Sequence, residues 1–527
     1  QKIYIAAYQT VMTAAGRRKP QANIDIINGW NEGRLVINYV GHGSTDLWAH
    51  EHIFVREESI PQLHNKGKYP FLTIASCDLA RWDDPFNISA GEQLVFIPDK
   101  GAIADIAASR PVYSGANANL NQLLWNNFMF DKDSANAPIR IGRAFYLTKA
   151  QIGTVSDNDD KYILVGDPSL RISIPQYFTK IDSINNSGSN DTAVIKALQK
   201  VKISGRVLTP DSTLWNNFNG TIYIKVFDVN KFISFYDLGY LFAYTLDGGV
   251  IFSGKTQVTD GRWKLEFVVP KDISYQIGPG KIQAYFTDGA NEGAGYTNMF
   301  SINGIDTTAV QDTTGPQISL YMDSRNFRTG DIVNQNTKII ADIFDENGIN
   351  LTGTIGHKIE GIINDDVSKT LDLTSYFSST QGYQNGSLEY PLSDLTDGKY
   401  NLKLKVWDTY NNYSIASVDF IVKSNTALAV SEIYNYPNPF KDGTSFMFQH
   451  NFDSPISADI KIYTVAGRMI KELQQNNITD KNVLISWDGR DADNDAIANG
   501  VYLYTVLIKT DDGRFSNNSV HKLVKLK

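Results

Sequence analysis

The residues of this sequence best suited to chemistry are one thiol and one imidazole. His42 stands between two glycines after the apolar run LVINYV, and Cys77, the only cysteine among 527 residues, follows the run YPFLTIAS. A thiol with a pKa of ~8.5 is only a few per cent thiolate at neutral pH. A neighbouring imidazole can take or balance that proton and make the sulfur a strong nucleophile. Together the two residue types predict nucleophilic catalysis by cysteine.

Backbone N–H groups beside this pair could stabilise a developing oxyanion. Gly43 has no Cβ, so its N–H can approach a substrate closely. With the N–H of Cys77 it could form an oxyanion hole, in which one donor contributes ~3–4 kcal/mol. Gly43 and Cys77 are therefore the predicted oxyanion-hole residues.

Two apolar runs must position these groups. Residues 35–40 and 70–76 have the length and β-branched content of buried strands in a parallel sheet. Working residues of such sheets gather beyond the carboxyl ends of the strands. His42 and Cys77 should then share one rim of the sheet. A plainer alternative stays open, in which Cys77 is a buried small hydrophobe and Gly41-His42-Gly43 is only a turn.

Further residues near this rim are candidates for substrate contact. Asp78 follows the cysteine, and Ser109, Arg110 and Tyr113 lie just past a third predicted strand, residues 101–108. Acidic residues near Cys77 could select a basic side chain, or could serve as helix caps and solvated loop charges. Glu92 has a structural explanation, since it forms a capping box with Ser89 at the start of a predicted helix over residues 89–97.

Metal sites have weaker support. His50 and His52 could offer two imidazoles on one side of a strand, but no third ligand stands at a recognised spacing, so no metal is predicted there and a polar rim is favoured. No cofactor is required by the predicted chemistry. A structural calcium ion is an alternative at two later turns, one with Asp345 and Glu346 and one with Asp408 and Asn411.

Composition limits the function class. The net charge is −8 with no basic stripe, which argues against nucleic acid as a partner. A single cysteine excludes an intrachain disulfide framework. No apolar run approaches the ~18–20 residues that span a bilayer. The chain opens on QKIYIAAYQT, within an apparently folded region, so we expect a C-terminal fragment of a longer protein.

The pattern along the chain predicts four domains. Residues 1–173 alternate strand-like and helix-like segments, which predicts an α/β domain with a mostly parallel sheet. Short alternating strands separated by Gly, Asn, Asp and Pro turns then predict three all-β immunoglobulin-like sandwich modules, over residues 174–311, 312–424 and 425–527. Residues 178–198 and 231–249 are expected to be long loops.

These motifs resemble a known group of enzymes. A His-Gly after one hydrophobic strand and a Cys after the next is similar to the caspase–gingipain clan of cysteine peptidases, and NYVGHGSTDLW resembles its gingipain branch. SCDLARWDDPFNISAGEQLV, GAIADIAASRPV and ILVGDPSLRI resemble the C-terminal signal peptidases, or sortases, of the type IX secretion system in Bacteroidota. Under that resemblance His42 matches the catalytic histidine, Cys77 the nucleophile and Gly43 an oxyanion-hole residue.

The resemblance implies a function at the cell surface. It implies removal of the C-terminal signal from type IX-secreted cargo proteins and transfer of the cargo to a lipopolysaccharide acceptor. It further implies peripheral attachment to the outer membrane with a PorV-like barrel and other attachment-complex proteins as partners. The terminal module, with EIYNYPNPF, resembles the last immunoglobulin-like module of type IX-secreted proteins and the FlgD-type fold. Two alternatives stay open, a non-enzymatic outer-membrane adaptor and a secreted gingipain-like digestive protease.

Overall fold

The computed structural model describes most of the chain. The described residues are 2–14, 16–134, 137–153, 157–188, 193–237, 240–274, 276–353, 356–424, 430–450, 452, 454–510, 515–517 and 520–526. The chain divides into two units, Gln1–Pro175 and Gln176–Lys527.

The first unit contains both helices and strands. Its helices are α1 Pro20–Glu32, α2 Arg56–Ser59, α3 Ala90–Phe96, α4 Ser114–Leu123, which continues as a π-helical turn over Leu124–Phe128, and α5 Ile141–Ile152. Its strands are β1 Val11–Thr13, β2 Gly16–Arg18, β3 Val36–Val40, β4 Leu47–Trp48, β5 Phe54–Val55, β6 Phe71–Ala75, β7 Ala104–Ala108 and β8 Tyr162–Val165. Short 3₁₀ turns occupy Ile5–Ala7, Ile60–Gln62 and Asp159–Lys161.

A four-stranded sheet in the order β3-β6-β7-β8 forms the centre of this unit. The first three strands are parallel and β8 is antiparallel to β7. The two faces of the sheet pack into separate apolar clusters, one around Trp30 and Leu72 and the other around Phe71 and Ile106. The predicted mostly parallel α/β domain is confirmed.

The strand before His42 differs from the prediction of a buried strand. β3 lies at one edge of the sheet, and Leu35 and Val40 are 49% and 59% exposed. Every residue of β6 and β7 is buried, since each of these strands pairs on both sides. An apolar, β-branched run marks a strand but does not reveal whether it lies in the middle or at the edge of its sheet.

The second unit is built of strands. They are β9 Tyr177–Ile184, β10 Ser187–Gly188, β11 Ala193–Ala197, β12 Lys200–Leu208, β13 Gly220–Phe227, β14 Lys231–Asp237, β15 Tyr240–Leu246, β16 Val250–Val258, β17 Arg262–Val268, β18 Gly278–Pro279, β19 Lys281–Thr287, β20 Glu292–Thr297, β21 Phe300–Ile305, β22 Gln317–Met322, β23 Ile332–Val333, β24 Thr337–Phe344, β25 Glu360–Ile363, β26 Leu371–Asp372, β27 Phe377–Gln381, β28 Asn385–Leu392, β29 Gly398–Trp407, β30 Tyr413–Val422, β31 Val430–Tyr436, β32 Thr444–His450, β33 Ile456–Thr464, β34 Met469–Ile478, β35 Asn482–Trp487, β36 Gly500–Thr510, β37 Phe515–Asn517 and β38 His521–Lys525.

The strands of this unit enclose three separate apolar cores. One contains Phe286 and Trp263, a second contains Phe420 and Leu404, and a third contains Trp487 and Tyr504. Alternating buried and exposed residues along these strands place one side chain row in a core and the next in solvent. The β-sandwich class predicted for the region after residue 173 is confirmed.

One sheet runs through the first two sandwiches. It has twelve strands, and it passes from one core to the next where β16 pairs with β27 in parallel at Gly254 and Ser379. The predicted boundary at residues 311 and 312 therefore separates two cores but not two sheets. The boundary predicted at residues 424 and 425 falls at residues 425–429, which lie outside the described residues.

Both predicted long loops contain strands. Most of residues 178–198 belongs to β9 and β11, and β14 and β15 form an antiparallel hairpin within residues 231–249. Aromatic and polar residues alternate in these segments, and the pairing of neighbouring strands prevailed over the turn-forming residues between them. Within the part of the chain that the structure describes, no helix combines the length and apolar character needed to cross a membrane.

Candidate active site

The ends of β3 and β6 bring His42 and Cys77 to the same rim of the sheet. The two strands pair in parallel register, with Val40 opposite Ala75, and each candidate lies two residues beyond that last pair. The Gly41 N–H donates to the Ala75 carbonyl at 3.3 Å, which extends the pairing past the strand ends. Parallel strands that end level with one another place the residues that follow them on one edge.

The glycines around His42 are required by close packing. A Cβ at position 41 would lie 2.5 Å from the hydroxyl oxygen of Tyr39, whose ring folds beneath the turn. A Cβ at position 43 would lie 2.5 Å from the Ser76 hydroxyl and 3.2 Å from the Leu47 carbonyl. Real Cβ contacts do not become this short, so any larger residue would displace the turn that carries the imidazole.

Two hydrogen bonds hold the backbone of His42. Its carbonyl accepts from the Tyr39 hydroxyl at 2.6 Å and from the Ala49 N–H at 2.7 Å. Burial raises the pKa of Tyr39, so its hydroxyl keeps its proton and remains a donor. The Tyr39 ring also stacks on Trp48 with ring centroids 4.7 Å apart. The exposed His42 imidazole therefore extends from a backbone fixed on its inner side.

A second imidazole packs against that of His42. The rings of His42 and His50 are tilted by 34° with centroids 5.2 Å apart. His50 is exposed, and the next residue, Glu51, forms an ion pair with Arg17 at 2.6 Å. His50 thus lies beside His42 at the rim of the sheet. The polar rim favoured for His50 and His52 stays a prediction.

The sulfur of Cys77 is half-buried and held by the loop after β7. Its Sγ accepts from the Val112 N–H at 3.4 Å and lies 3.6 Å from the Val112 carbonyl oxygen. The next residue, Asp78, has a φ of 56°, a left-handed conformation that a non-glycine residue adopts at a cost. A strained residue directly after the thiol turns the chain sharply away from the strand end.

A buried tyrosine lies close to the thiol. Tyr162, the first residue of β8, is 1% exposed, and its hydroxyl has no hydrogen-bond partner among the described residues. Burial raises the pKa of Tyr162, and the negative charge of a Cys77 thiolate raises it further. The hydroxyl therefore remains a neutral dipole beside the sulfur.

The candidate substrate residues have different surroundings. Ser109 is 8% exposed and its hydroxyl donates to the Lys161 carbonyl at 3.0 Å, so this group already has a structural partner. Arg110 donates to the Asp83 carboxylate at 2.9 Å and is exposed. Tyr113 is 71% exposed, with the Lys161 ammonium 5.4 Å from its ring centroid. Asp78, Arg110 and Tyr113 remain accessible candidates.

Several residues of this rim were missed from the sequence. They are Tyr39, Ser76, Val112 and Tyr162. Val112 and Tyr162 come from distant segments, so no local pattern connects them to Cys77. Tyr39 could have been found from the sequence, because it lies two positions before Gly41 and its ring would explain why that position has no side chain.

The acidic turns of the second sandwich come together. One carboxylate oxygen from each of Asp312, Asp345 and Asp408 lies within 4.8 Å of the others. Glu346 is not part of this group, and the Asn411 side chain donates instead to Asp272 at 2.5 Å. Carboxylate oxygens are ligands that calcium prefers. A structural calcium ion stays a prediction.

Comparison with known proteins agrees with the site. Residues 1–173 match the family model described as peptidase family C25. No curated protein matches the chain. Among solved structures, dimeric latent PorU from Porphyromonas gingivalis is 28% identical and aligns with 76% of this chain at a TM-score of 0.34. This chain covers 38% of the length of that PorU chain.

Two further solved structures align with this chain at low identity. The fibronectin(III)-like modules of Clostridium thermocellum CbhA are 12% identical, with 40% of this chain and 93% of that one aligned at a TM-score of 0.17. The FN1–FN3 domains of chicken CNTN1 are 11% identical, with 66% and 98% aligned at a TM-score of 0.15. Through residues 1–173, this chain is similar to peptidase family C25, which supports a gingipain-like cysteine peptidase.

Proposed function

We propose that the protein is a cell-surface cysteine endopeptidase and transpeptidase, a sortase of type IX secretion, with Cys77 as the nucleophile and His42 as its proton-transfer partner. The observation that carries the proposal is the level ending of β3 and β6, which sets both residues two positions past the Val40–Ala75 pair. The similarity of residues 1–173 to family C25 supports the peptidase class.

The proposed reaction follows from the chemistry of a thiol beside an imidazole. His42 takes the thiol proton and the sulfur attacks the carbonyl carbon of a peptide bond. The N–H groups of Gly43 and Cys77 would stabilise the oxyanion of the tetrahedral intermediate. When that intermediate collapses, the C–N bond breaks, His42 returns the proton to the leaving amine, and a thioester remains on Cys77. Water or an amine then releases the acyl group, giving hydrolysis or transpeptidation respectively.

The similarity to PorU guides the choice of substrate. We propose that the peptide bond cleaved is the one that joins secreted cargo to its C-terminal type IX signal domain, and that the acyl acceptor is a lipopolysaccharide. The same proposal includes peripheral attachment to the outer membrane through a PorV-like barrel. Asp78, Arg110 and Tyr113, on the rim beyond β6 and β7, are proposed to contact the cargo.

The test uses the natural full-length protein in its own cells with a cargo protein followed by mass spectrometry. Cys77→Ala and His42→Ala should each leave the C-terminal signal on the cargo. His64→Ala is the matched control, because His64 is an exposed histidine that precedes β6, whereas the site follows it. Normal cargo processing by Cys77→Ala would contradict the proposal. Cleavage without attachment to lipopolysaccharide would limit the function to a peptidase.

A further inference from the structure

A cleft of the second unit lies where its first two sandwiches share a sheet. Its volume is about 810 Å³, within the range of small-molecule and oligosaccharide sites. The floor is the outward face of β13, β19 and β20, and one wall is the segment from Ser375 to Ser378 of the next sandwich. All of its lining residues belong to the second unit, whereas Cys77 belongs to the first.

Aromatic rings that are not part of a core form the floor. Tyr223 on β13 stands directly opposite Tyr285 on β19, and their ring centroids are 6.2 Å apart. Tyr296 on β20 stands opposite Gln283, one row along. Tyr223, Tyr285 and Tyr296 are 43%, 38% and 73% exposed. A row of rings on a sheet face, open to solvent, offers flat apolar surface to a ligand rather than packing for the fold.

The charge of the cleft favours an anion. Lys225 and Lys281 line it, and its described lining residues include no carboxylate. Lys281 is paired with Asp247 at 3.0 Å, whereas Lys225 has no ion pair with any described residue. A second acidic group, Glu292, lies beside the floor, and its carboxylate accepts from the Tyr285 hydroxyl at 2.6 Å. An acidic ligand would therefore contact Lys225, which has no ion pair among the described residues, and Lys281, which is already paired with Asp247.

The remaining lining groups suit a ligand rich in hydroxyls. Ser253, Gln283, Ser375 and Ser378 add hydroxyl and amide groups around the rings. A peptide is less suited, because extended peptides gain affinity by adding to a free sheet edge. Here β13 is paired on both sides, with β16 and with β19, so its backbone groups are already used.

We propose that this cleft binds an acidic oligosaccharide. The C–H faces of its sugar rings would stack on Tyr223, Tyr285 and Tyr296, while a carboxylate, sulfate or phosphate substituent would meet Lys225 and Lys281. Hydroxyl groups would exchange hydrogen bonds with the serines and with Gln283. The site is independent of the reaction proposed at Cys77, so a Cys77→Ala chain binds the same ligand.

Calorimetric titration of the full chain tests this with three acidic probes and two matched controls. The probes are hexagalacturonate, a heparin hexasaccharide and a phosphorylated mannopentaose, which differ in their anionic group. The controls are neutral maltohexaose and the acidic peptide hexaglutamate. At least one acidic saccharide should bind, and both controls should bind at least about tenfold more weakly, a difference of about 1.4 kcal/mol. Failure of all three probes would overturn the proposal, as would equal binding of hexaglutamate or maltohexaose.

Variants locate the binding in the cleft. Tyr223→Ala and Lys225→Ala should each weaken the bound probe by at least about tenfold. Both variants should keep the melting temperature of the wild type, which excludes misfolding as the cause. Tyr236→Ala, a change of a 74% exposed tyrosine on the β14–β15 hairpin, should have no effect. Equal affinity of the wild type, Tyr223→Ala and Lys225→Ala would show that the saccharide binds elsewhere.

Discussion

The position of a single imidazole depends on residues that carry no chemistry of their own. Tyr39 donates to the His42 carbonyl, and Gly41 lacks a side chain because the Tyr39 ring occupies that space. Gly43 leaves room in the same way for the buried Ser76 hydroxyl. The Gly-His-Gly motif is thus explained by packing on the inner side of the turn, which leaves the outer side to the imidazole.

Tyr39→Phe tests this positioning role. The variant keeps the ring stacked on Trp48 and removes only the hydroxyl that holds the His42 carbonyl. Loss of one such hydrogen bond, about 1–1.5 kcal/mol, should lower kcat for cargo cleavage about tenfold while KM stays unchanged. Tyr8→Phe is the control, since it removes a hydroxyl that donates to Asp25 at 2.7 Å. An unchanged kcat in Tyr39→Phe would assign the hydroxyl to stability alone.

The sequence allowed the strand ends that carry the candidate pair to be predicted, but not the residues around that pair. His42 and Cys77 could be predicted because each follows a short apolar run, and strand ends are local features. Val112 and Tyr162 could not be predicted, because contacts between segments distant in the chain leave no spacing to recognise. Ser109 had the right location but not the right exposure, since its hydroxyl turns inward to the Lys161 carbonyl.

Among the elements, β7 carries an unusual buried carboxyl group. Asp105 is 0% exposed, and neither carboxyl oxygen has a hydrogen-bond partner among the described residues. A Cβ at Gly91 would lie 2.5 Å from one of these oxygens, so α3 packs directly onto the carboxyl group. Burial raises the pKa of Asp105 well above its ordinary value.

The stability of the first unit should therefore fall as pH rises. The unfolded carboxyl loses its proton near pH ~4, while the folded one retains it, so folding becomes less favourable with each pH unit above ~4 until the folded group ionises too. Asp105→Asn keeps the shape and cannot ionise, so it should stabilise the unit at pH 8 by about 1–3 kcal/mol and have little effect at pH 4. Urea unfolding at both pH values measures this, with exposed Asp160→Asn as the control. A gain of equal size at both pH values would contradict it.

The turn after β24 contains a second carboxyl group whose pKa is raised. Burial, with added repulsion from Asp408 and Asp312, raises the pKa of Asp345 to about 7, despite hydrogen bonds from two backbone N–H groups. The pKa of Asp345 is higher in the folded protein than in the unfolded chain. Its contribution to the stability of this sandwich should therefore be largest below pH ~4 and should decline as the pH rises to about 7.

Asp345→Asn should remove most of that decline. Its melting temperature should exceed that of the wild type at pH 8 and match it near pH 4, as followed by differential scanning calorimetry. If the three carboxylates bind calcium, an excess of calcium should raise the melting temperature of the wild type at pH 8 but not that of the variant. If, at pH 8 without calcium, the wild type melted at a higher temperature than Asp345→Asn, the raised pKa of Asp345 would be contradicted.

At the scale of the whole molecule, the first two sandwiches of the second unit are joined by one side chain as well as by a shared sheet. The Asp272 carboxylate accepts from Asn350 at 2.9 Å and from Asn411 at 2.5 Å, and also contacts the His357 imidazole. Burial raises the pKa of Asp272, but the hydrogen bonds from these three residues outweigh it and the net pKa lies below the ordinary value.

Asp272→Ala should loosen the joint. Leaving three donors without an acceptor should cost about 2–4 kcal/mol at neutral pH, with the two sandwiches unfolding in separate transitions where the wild type shows one. Because the folded pKa is depressed, the stabilisation should be present above pH ~4 and lost as the pH falls below it. Glu266→Ala, which removes exposed ion pairs with Lys200 and Lys202, should change little. One unshifted transition in Asp272→Ala would contradict the role.

The β-sandwich class could be predicted from the sequence, but the joint could not. Alternating strands and turn residues mark the sandwiches, whose cores are separate, and the bounds 174–311 and 312–424 stay predictions. The shared sheet depends on one parallel pairing between Gly254 and Ser379, and the Asp272 contacts link residues far apart in the chain. Neither kind of contact has a period or a local motif.

The most direct test of the account is the reactivity of the one thiol in the chain toward iodoacetamide at pH 7, measured by mass spectrometry without any substrate. An imidazole that takes or balances the thiol proton speeds alkylation, so His42→Ala should slow the labelling of Cys77 by about tenfold or more, while His64→Ala should label like the wild type. Equal labelling rates in the wild type and His42→Ala would show that the two residues do not act as a pair, and would contradict the proposed catalytic mechanism.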